Sequence, residues 1–287
     1  MTALEAKLAH LRALLAELPS ALVAFSGGVD STFLLCLAHE VLGSRCLALT
    51  TVSPATPAED LETAKSVAAA LGAAHLLVDV DELAIDGYAS NPTNRCFFCK
   101  DNLFTVAAAE AARRGLAAVL DGANLDDLAD HRPGLHAAAA HGVRHPLVEA
   151  GFSKPDIRAA SHALGLPTWD RPASPCLSSR FPYGTRITAE RLAQVAAAER
   201  FLRAQGLREL RVRHHEHTAR LEVPVADMPR LLAPGVREAV VQELKRLGFA
   251  YVALDLQGFR SGSLNETLAA PETRRAGGVT PPALRIR

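Results

Sequence analysis

Three cysteines of this chain stand in settings that favour chemistry over packing. Cys96 and Cys99 form a Cys-x-x-Cys pair flanked by Arg95 and Lys100, at the predicted start of a helix, and Cys176 lies in a separate polar loop. Cations and a helix N-terminus both stabilise a thiolate, so we expect lowered thiol pKa values for the pair. Because thiolates bind metals and attack electrophiles, three of them indicate one shared site.

A shared site of three thiolates allows more than one interpretation. Zinc would need a fourth protein ligand. One of four histidines could supply it, although none stands at a recognisable ligand spacing; they are His131, His136, His141 and His145. A [4Fe–4S] cluster fits better, since three Cys ligands leave one iron open for sulfide or a substrate atom. The Cys-x-x-Cys pair alone is also compatible with a redox-inert or thioredoxin-like role. Cys36 and Cys46 lie in apolar stretches and are assigned to the core.

A second group of residues is suited to binding phosphate. The segment Ser26-Gly27-Gly28-Val29-Asp30-Ser31 follows the apolar run 21–25 and precedes a helical pattern. Two glycines, hydroxyl groups and a helix N-terminus together make an anion cradle, and Asp30 offers a carboxylate for magnesium. The loop has no lysine of the kind that holds terminal phosphates in a Walker A motif. The alternative interpretation is a Gly-Gly turn that closes a βα unit.

The pattern of apolar and helical segments predicts an α/β fold with a parallel sheet and helices on both faces. Strand-like and helical runs alternate along the first part of the chain: 21–25, 31–42, 46–52, 57–71, 75–80, 101–114 and 117–121. Ligands bind at the carboxyl ends of such strands, where the Gly-rich loop and the acidic loop 121–127 both lie. We expect a first domain over 1–170, a smaller α+β domain over 171–265 and a disordered tail over 266–287.

Composition limits the classes of function. The chain has 287 residues, is 49% hydrophobic and has zero formal net charge, so nucleic acid is disfavoured as a partner. No segment is typical of a membrane span or a signal peptide, and we therefore expect a cytoplasmic protein. Five cysteines, an odd number, favour free, catalytic or metal-bound thiols over disulfides.

Six motifs spread over nearly the whole chain make the interpretation more specific. They are Ser26-Gly27-Gly28-Val29-Asp30-Ser31, Asn91-Pro92, Arg95-Cys96-Phe97-Phe98-Cys99-Lys100, Asp121-Gly122-Ala123-Asn124, Cys176-Leu177-Ser178-Ser179-Arg180 with Pro182-Tyr183-Gly184, and Gly258-Phe259-Arg260-Ser261-Gly262-Ser263-Leu264-Asn265. Together they resemble the LarE family, PP-loop sulfurtransferases that build the nickel-pincer nucleotide cofactor of lactate racemase.

The resemblance implies a reaction. ATP would adenylate a carboxylate of pyridinium-3,5-biscarboxylic acid mononucleotide, and sulfur would then displace AMP to give a thiocarboxylate, once on each carboxylate. Cys176 is either the sulfur donor itself, left as dehydroalanine, or a ligand of a [4Fe–4S] cluster with Cys96 and Cys99. We favour the cluster, which would receive its transferable sulfur from free sulfide or from a sulfur-donor protein.

The resemblance also implies roles for residues in both parts of the chain. ATP, with magnesium on Asp30, would bind along the strand ends and the Gly-rich loop: Ala24, Ser26, Gly27, Gly28, Asp30, Ser31, Thr51, Gly122 and Asn124. Arg211 and Arg213 would hold the substrate phosphate. Four residues are assigned to catalysis: Cys176, Arg180, Glu199 and Glu222. Family members often form homo-oligomers, and we expect one here.

Three other functions remain open at this point. The main alternative is a PP-loop tRNA thiolase, which also combines ATP with a three-Cys [4Fe–4S] cluster, although zero net charge counts against it. An amidating synthetase would have no use for three thiolates. A cluster-carrying scaffold or nucleotide sensor would bind ATP without releasing AMP.

Overall fold

The computed structural model describes residues 2–128, 133–172, 174–260 and 262–267. The chain forms two compact units, 1–196 and 197–287. The sequence interpretation placed a boundary near residue 170, but the segment after it is bonded to the first unit, since Leu177 N–H donates to Ala55 C=O and Ile187 N–H donates to Ala89 C=O. Of the predicted tail, residues 268–287 lie outside the described residues, and Ser263–Thr267 forms a short 3-10 helix.

A four-stranded parallel sheet forms the centre of the first unit, as the alternating pattern predicts. Its strands are β1 (Ala21–Ala24), β2 (Cys46–Val52), β3 (Ala74–Asp79) and β4 (Ala118–Leu120), in the order β3-β2-β1-β4. The chain moves outward from β1 to β3 and then crosses back to β4 on the other side of β1. The carboxyl ends of β1 and β4 therefore flank the point where strand order reverses, which is where α/β sheets bind ligands.

Nine described helices lie wholly in the first unit, apart from short 3-10 turns. They are α1 (Ala3–Ala16), α2 (Val29–Leu42), α3 (Ala58–Ala70), α4 (Asp86–Ala89), α5 (Arg95–Arg114), α6 (Leu125–Leu128), α7 (Pro133–Ala140), α8 (Pro146–Glu149) and α9 (Lys154–Ala163). A tenth, α10 (Ala189–Ala204), begins in the first unit and continues past residue 196.

Burial explains why β1 carries no polar residue. All four of its side chains are buried, because a central parallel strand is covered on both faces. Leu22 packs in a cluster with Phe104 of α5 on one face, and Val23 packs in a cluster with Phe33 of α2 on the other. The first turn of α2, which carries the Gly-rich motif, is therefore fixed to the sheet by a continuous apolar core.

The second unit has its own small sheet and is α+β, as its pattern predicts. The order is β5 (Arg211–His215), β6 (Thr218–Glu222), β7 (Tyr251–Leu254), with β5 antiparallel and β7 parallel to β6. Two helices lie between β6 and β7 in the chain, α11 (Met228–Leu231) and α12 (Val236–Arg246). Among the described residues of the whole chain, no helix is long and apolar enough to cross a membrane.

Candidate functional site

The Gly-rich loop leaves β1 and turns directly into α2. The first hydrogen bond of α2 runs from Thr32 N–H to Gly28 C=O at 3.0 Å. The N–H groups of residues 29–31 therefore have no acceptor within the helix. Ser26 and Ser31 shape the loop, with their hydroxyl oxygens 3.1 Å apart. Ser26 Oγ also accepts from Gly28 N–H at 3.3 Å. Free N–H groups at a helix N-terminus beside two hydroxyls are an arrangement that suits an anion, and anion binding by this loop stays a prediction.

Two glycines are required here by close packing. Gly27 has φ +70, and a Cβ at this position would lie 2.8 Å from the Ala64 Cα of α3. A Cβ at Gly122, in the loop after β4, would lie 3.0 Å from the Ser31 backbone nitrogen. The structure thus brings the two predicted nucleotide loops into direct contact. Ala24 and Thr51 lie at the same carboxyl edge of the sheet, at the ends of β1 and β2.

Asp30, the predicted magnesium ligand, has partners on both carboxylate oxygens. Asn124 Nδ2 donates to Oδ1 at 3.4 Å, and Lys154 Nζ donates to Oδ2 at 2.5 Å. Mg²⁺ is usually held by one or two carboxylates together with substrate phosphates and water, so Asp30 suits it once nucleotide is present. Lys154 is the first residue of α9 and lies 124 positions away in the chain.

A partly buried pair of His145 and Asp121 lies at the end of β4. His145 Nδ1 is 2.5 Å from Asp121 Oδ1, and this hydrogen bond raises the pKa of His145 against the opposing effect of burial. Burial would raise the pKa of Asp121, but the hydrogen bond from His145 and the charge of Lys100 outweigh it, so that pKa is lowered. Both shifts favour the charged forms of the two side chains, and their hydrogen bond fixes the loop that starts at Asp121.

This pair predicts a pH dependence of stability. Because the folded pKa of His145 lies above its unfolded value near 6.5, its contribution is complete below that value and is lost as pH rises through the folded pKa. We expect the free energy of unfolding, measured with urea between pH 6 and 9, to fall over this window in the wild type. The decline should be smaller in His145→Gln. Equal slopes for both proteins would contradict the prediction.

The Cys176 loop is held by buried polar side chains from the region before α5 and from the first residue of that helix. Arg95 Nη1 donates to Ser178 C=O at 2.7 Å, and the Tyr88 and Ser178 hydroxyls are 2.5 Å apart. Asn91, which adopts φ 56, donates from Nδ2 to Pro182 C=O at 2.7 Å. Left-handed backbone is tolerated by asparagine more than by most residues. These contacts explain why the Asn91-Pro92, Arg95 and Pro182-Tyr183-Gly184 motifs occur together.

The thiols differ from each other in environment. Cys96 is exposed, whereas Cys99 is partly buried and its Sγ donates to Glu82 Oε1 at 3.0 Å. Burial, the charge of Glu82 and the charge of Cys176 raise the pKa of Cys99 well above its usual value. The expected lowering of the thiol pKa is thus wrong for Cys99, because burial and a neighbouring carboxylate outweigh Lys100. Arg95 is the compensating cation, since the charges of Cys176 and Cys96 raise its pKa against burial.

The metal interpretations can be tested against these positions. Among the residues that the structure describes, no three His, Cys, Asp or Glu side chains converge on a single ion. Among the described residues zinc also finds no histidine at these thiols, since His141 binds Asp101 at 2.8 Å, His145 binds Asp121 and His136 is exposed on α7. His131 lies outside the described residues. In a [4Fe–4S] cluster each thiolate binds a different iron, so its ligands are spread around the cluster. Cys176 interacts electrostatically with Cys99, and Arg95 interacts with both Cys176 and Cys96, so the three thiols share one electrostatic neighbourhood, while the cluster itself stays a prediction.

Arg180 is nearly fully buried, with 3% exposed. Its Nη1 donates to Pro175 C=O at 3.0 Å and to the Ser179 hydroxyl at 2.8 Å. These bonds shape the backbone beside Cys176, and a direct role toward the adenylate stays a prediction.

One arginine that the sequence interpretation did not single out joins the nucleotide loop to the segment before Cys176. Arg171 Nη1 donates to Gly27 C=O at 3.1 Å, while its Nη2 donates to Asp60 of α3 at 2.7 Å. The other oxygen of Asp60 accepts from the Ser174 hydroxyl at 2.8 Å. Cys176 comes two residues after Ser174. The segment that leads to it is therefore linked to the phosphate loop through Asp60 and Arg171.

The four predicted residues of the second unit are all buried. Arg213 forms a two-pronged pair with Glu222, with Nε–Oε1 at 2.9 Å and Nη2–Oε2 at 3.0 Å, and also donates to Ser263 Oγ. Glu199 accepts from Val212 N–H at 3.1 Å. Arg211 lies over the Phe259 ring at 4.6 Å. Arg211 and Arg213 share one face of β5 as predicted, and their binding of phosphate stays a prediction.

The Arg213–Glu222 pair predicts a large stability effect. Glu222→Ala would leave a buried guanidinium without its carboxylate, and loss of one partner of a buried pair costs about 3–5 kcal/mol. We expect a loss of that size in the free energy of unfolding, measured by urea titration. The matched control is Glu243→Ala, which removes an exposed pair with Arg246 and should leave stability unchanged. Equal effects of the two changes would contradict the prediction.

Sequence reasoning missed Lys154, Glu82, Tyr88 and Arg171. One of them had a usable signal. Ser153 and Asp156 form a capping box, and a lysine at the first position of a helix opposes the helix dipole, which indicates a role other than helix stability. For the others, only burial reveals the contacts: Glu82 is 6% exposed and Tyr88 is 1% exposed.

Comparison with known proteins agrees with this architecture. The asparagine synthase family model matches residues 12–226. The pyridinium-3,5-bisthiocarboxylic acid mononucleotide synthase of Lactiplantibacillus plantarum is 42% identical, over 93% of this chain and 97% of the relative. An uncharacterised protein of Synechocystis sp. is 46% identical, over 92% of this chain and 99% of the relative. An uncharacterised protein of Methanocaldococcus jannaschii is 28% identical, over 84% of this chain and 90% of the relative.

The family match extends through the Gly-rich loop, the Asp121–Asn124 loop and the Cys176 loop, which are the elements that the structure brings together in the first unit. The L. plantarum relative is similar along nearly its whole length, so the likeness is not confined to one motif. This chain belongs to the asparagine synthase family of PP-loop proteins and, within it, to the LarE family of ATP-dependent sulfurtransferases.

Proposed function

We propose that this enzyme converts the carboxylates of pyridinium-3,5-biscarboxylic acid mononucleotide into thiocarboxylates, at the expense of ATP. The L. plantarum relative is a synthase of pyridinium-3,5-bisthiocarboxylic acid mononucleotide, the product of this conversion, and this supports the proposed substrate. The observation that carries the proposal is the shared anchor of two loops. Arg171 binds the phosphate loop at Gly27 and also binds Asp60, which in turn binds Ser174 in the segment that leads to Cys176. An enzyme that activates an acid and then transfers sulfur needs both loops held together.

Activation comes first. A substrate carboxylate oxygen attacks the α-phosphorus of ATP, the bond to the β-phosphate oxygen breaks, and pyrophosphate leaves. The free N–H groups of residues 29–31 and the hydroxyls of Ser26 and Ser31 would hold that pyrophosphate. Magnesium on Asp30 would neutralise its charge. The product is an acyl-adenylate, whose AMP is a good leaving group.

Sulfur transfer follows at Cys176. In one mechanism its thiolate attacks the acyl carbon and expels AMP, after which loss of the Cys176 Cα proton breaks the Cβ–S bond and leaves dehydroalanine. In the other, Cys96, Cys99 and Cys176 would hold a [4Fe–4S] cluster, which would supply the sulfide that displaces AMP from the acyl carbon. We favour the cluster because Cys176 interacts electrostatically with Cys99, and Arg95 interacts with both Cys176 and Cys96. Loading it requires Cys99 to release its hydrogen bond to Glu82.

One experiment tests the activity and separates the mechanisms. Anaerobic protein is incubated with ATP, magnesium, sulfide and the biscarboxylate mononucleotide, and product, AMP and intact protein mass are recorded together. Many turnovers with an unchanged mass support the cluster. A single turnover with loss of one hydrogen sulfide from Cys176 supports the sacrificial mechanism. ATP binding without AMP formation would overturn the proposed function.

A further inference from the structure

One guanidinium is bonded toward both loops on which the two steps of the proposed reaction depend. Arg171 Nη1 donates to Gly27 C=O in the phosphate loop. Its Nη2 donates to Asp60, which also accepts from Ser174. We propose that Arg171 is a positioning residue, through which pyrophosphate bound at the phosphate loop orders the segment that leads to Cys176. The inference deepens the proposed function and rests on it for the order of the two steps.

The bond to Gly27 fixes the direction of one N–H group of the loop. The described residues contain no cis peptide bond, and in a trans peptide the C=O and the following N–H point in opposite directions. Arg171 holds the Gly27 oxygen at 3.1 Å on one side of this peptide. On the other side, Gly28 N–H donates to Ser26 Oγ at 3.3 Å. Glycine adopts many backbone conformations, so the bond from Arg171 selects this orientation of a Gly-Gly peptide.

An anion at the loop would strengthen the same bond. The bond from Gly28 N–H to Ser26 Oγ is long, and a phosphate oxygen, which accepts stronger charge-assisted bonds, can replace the serine hydroxyl. Hydrogen bonds in series polarise one another, so an N–H that donates to an anion makes the carbonyl of its own peptide group a better acceptor. The positive charge of Arg171 acts in the same direction, because it is attracted to the anion.

The guanidinium can transmit this change because it is planar and largely shielded from water. The Arg171 side chain is 22% exposed and that of Asp60 is 18% exposed, so screening of their charges is reduced. The planar fork holds the Gly27 oxygen and the carboxylate at a fixed angle. Asp60 lies in the first turn of α3, and its second oxygen accepts from Ser174 Oγ at 2.8 Å. Order at the phosphate loop thus reaches the segment before Cys176.

The main chain of Arg171 is held separately, by an arginine of α9. Arg158 Nη2 donates to Arg171 C=O at 2.8 Å, and Arg158 Nη1 donates to Trp169 C=O at 2.7 Å. The segment 169–171 therefore keeps its anchor when the Arg171 side chain is removed. A variant at this position tests the link between the two loops and not the path of the chain.

The link matters for the yield of the reaction. An acyl-adenylate also reacts with water, which attacks the acyl carbon, expels AMP, loses a proton to solvent and regenerates the carboxylate. An ordered Cys176 segment places the sulfur at the acyl carbon before water reaches it. Loss of the link should therefore lower the amount of thiocarboxylate formed per AMP. This ratio does not depend on the fraction of folded enzyme, so a purely structural defect leaves it unchanged.

The test is hydrogen exchange of the intact protein with and without saturating magnesium pyrophosphate, measured on a peptide that contains Leu177 and Ser179. Their N–H groups donate to Ala55 C=O and Cys176 C=O, so their exchange reports the order of the Cys176 loop. In the wild type we expect pyrophosphate to slow this exchange at least about threefold.

Two variants break the link at different points. In Arg171→Met the slowing should disappear, and the affinity for magnesium pyrophosphate, measured by calorimetry, should fall at least about fivefold. Ser174→Ala removes only the bond to Asp60. It should lose the slowing but bind pyrophosphate within about threefold of the wild type, because the coupling is reciprocal. In the full assay, thiocarboxylate per AMP should fall at least about tenfold in Arg171→Met.

The matched control is Arg45→Met. Arg45 also binds main-chain oxygens, those of Leu18 and Pro19, but at the amino edge of the sheet where β1 and β2 begin. This variant should keep the pyrophosphate affinity, the slowing and the product ratio of the wild type.

The contrary results are equally definite. Slowing that persists in Arg171→Met or Ser174→Ala, wild-type exchange that ignores pyrophosphate, or an unchanged product ratio in Arg171→Met would each overturn the positioning role. If Arg171→Met does not fold, Ser174→Ala decides, since it removes a single hydroxyl. The exchange experiment contains no biscarboxylate substrate. A wild type that shows the link but forms no thiocarboxylate would therefore overturn the proposed function and leave the link standing.

Discussion

Cys176→Ala should abolish thiocarboxylate formation while the enzyme still exchanges pyrophosphate with ATP in the presence of substrate. The thiol is needed for sulfur transfer in either mechanism, whereas activation uses the phosphate loop. We expect product formation to fall at least about 1000-fold, the scale seen when a covalent nucleophile is removed, and pyrophosphate exchange to change by less than about threefold. The loop backbone should keep its path, because Arg95 and Arg180 bind its carbonyl oxygens.

Two further variants make this result specific. Cys36→Ala changes a half-buried thiol of α2 whose pKa is raised by burial, and it should leave product formation unaffected. Cys96→Ala separates the mechanisms, since a cluster needs that ligand and a sacrificial Cys176 does not. Substantial product from Cys176→Ala would remove Cys176 from the reaction.

Gly27→Ala should destabilise the first unit and eliminate ATP binding. The residue has φ +70, and its new Cβ would lie 2.8 Å and 2.9 Å from Ala64 backbone atoms. The unfavourable dihedral and the overlap together should cost about 2–5 kcal/mol in the free energy of unfolding. Relief of the overlap would move the loop away from α3, and with it the carbonyl that accepts from Arg171. Unfolding titrations and calorimetric ATP binding measure the two effects.

Gly165→Ala is the control for the dihedral alone. Gly165 has φ +69, and a Cβ there would have no heavy atom within 4 Å. We expect about 1–2 kcal/mol of destabilisation and normal ATP affinity in this variant. If Gly27→Ala costs no more than Gly165→Ala and binds ATP normally, the close approach to α3 has no functional weight.

The sheet of the first unit was predictable because local pattern and tertiary burial agree there. The apolar run 21–25 and the alternation that follows it correspond to β1, α2, β2 and α3 within two residues. The start of α5 was also foreseen at the Cys-x-x-Cys pair, although the repeating pattern alone begins only at residue 101. That first turn is set by tertiary bonds from Arg95, not by periodic apolar residues.

The candidate site was predictable only where one segment carries the whole feature. The Gly-rich loop could be predicted as an anion site because its strand, its turn and the start of its helix are contiguous in the sequence. The contact between Lys154 and Asp30 was not predicted because the two residues are 124 positions apart in the chain. The pKa of Cys99 was misjudged because the sequence shows Lys100 next to it but not the buried Glu82, which comes from a different loop.

The bonds that hold the Cys176 loop fall largely on its main chain: Arg95 and Arg180 bind the carbonyl oxygens of Ser178, Pro175 and Cys176, and Asn91 binds those of Phe181 and Pro182. These donors recognise groups that every amino acid possesses. The shape of the loop is therefore nearly independent of which side chain stands at position 176. Selection can exchange the reacting group at this point, thiol for hydroxyl or carboxylate, without first rebuilding its support, and new acyl-transfer chemistry would be only one substitution away.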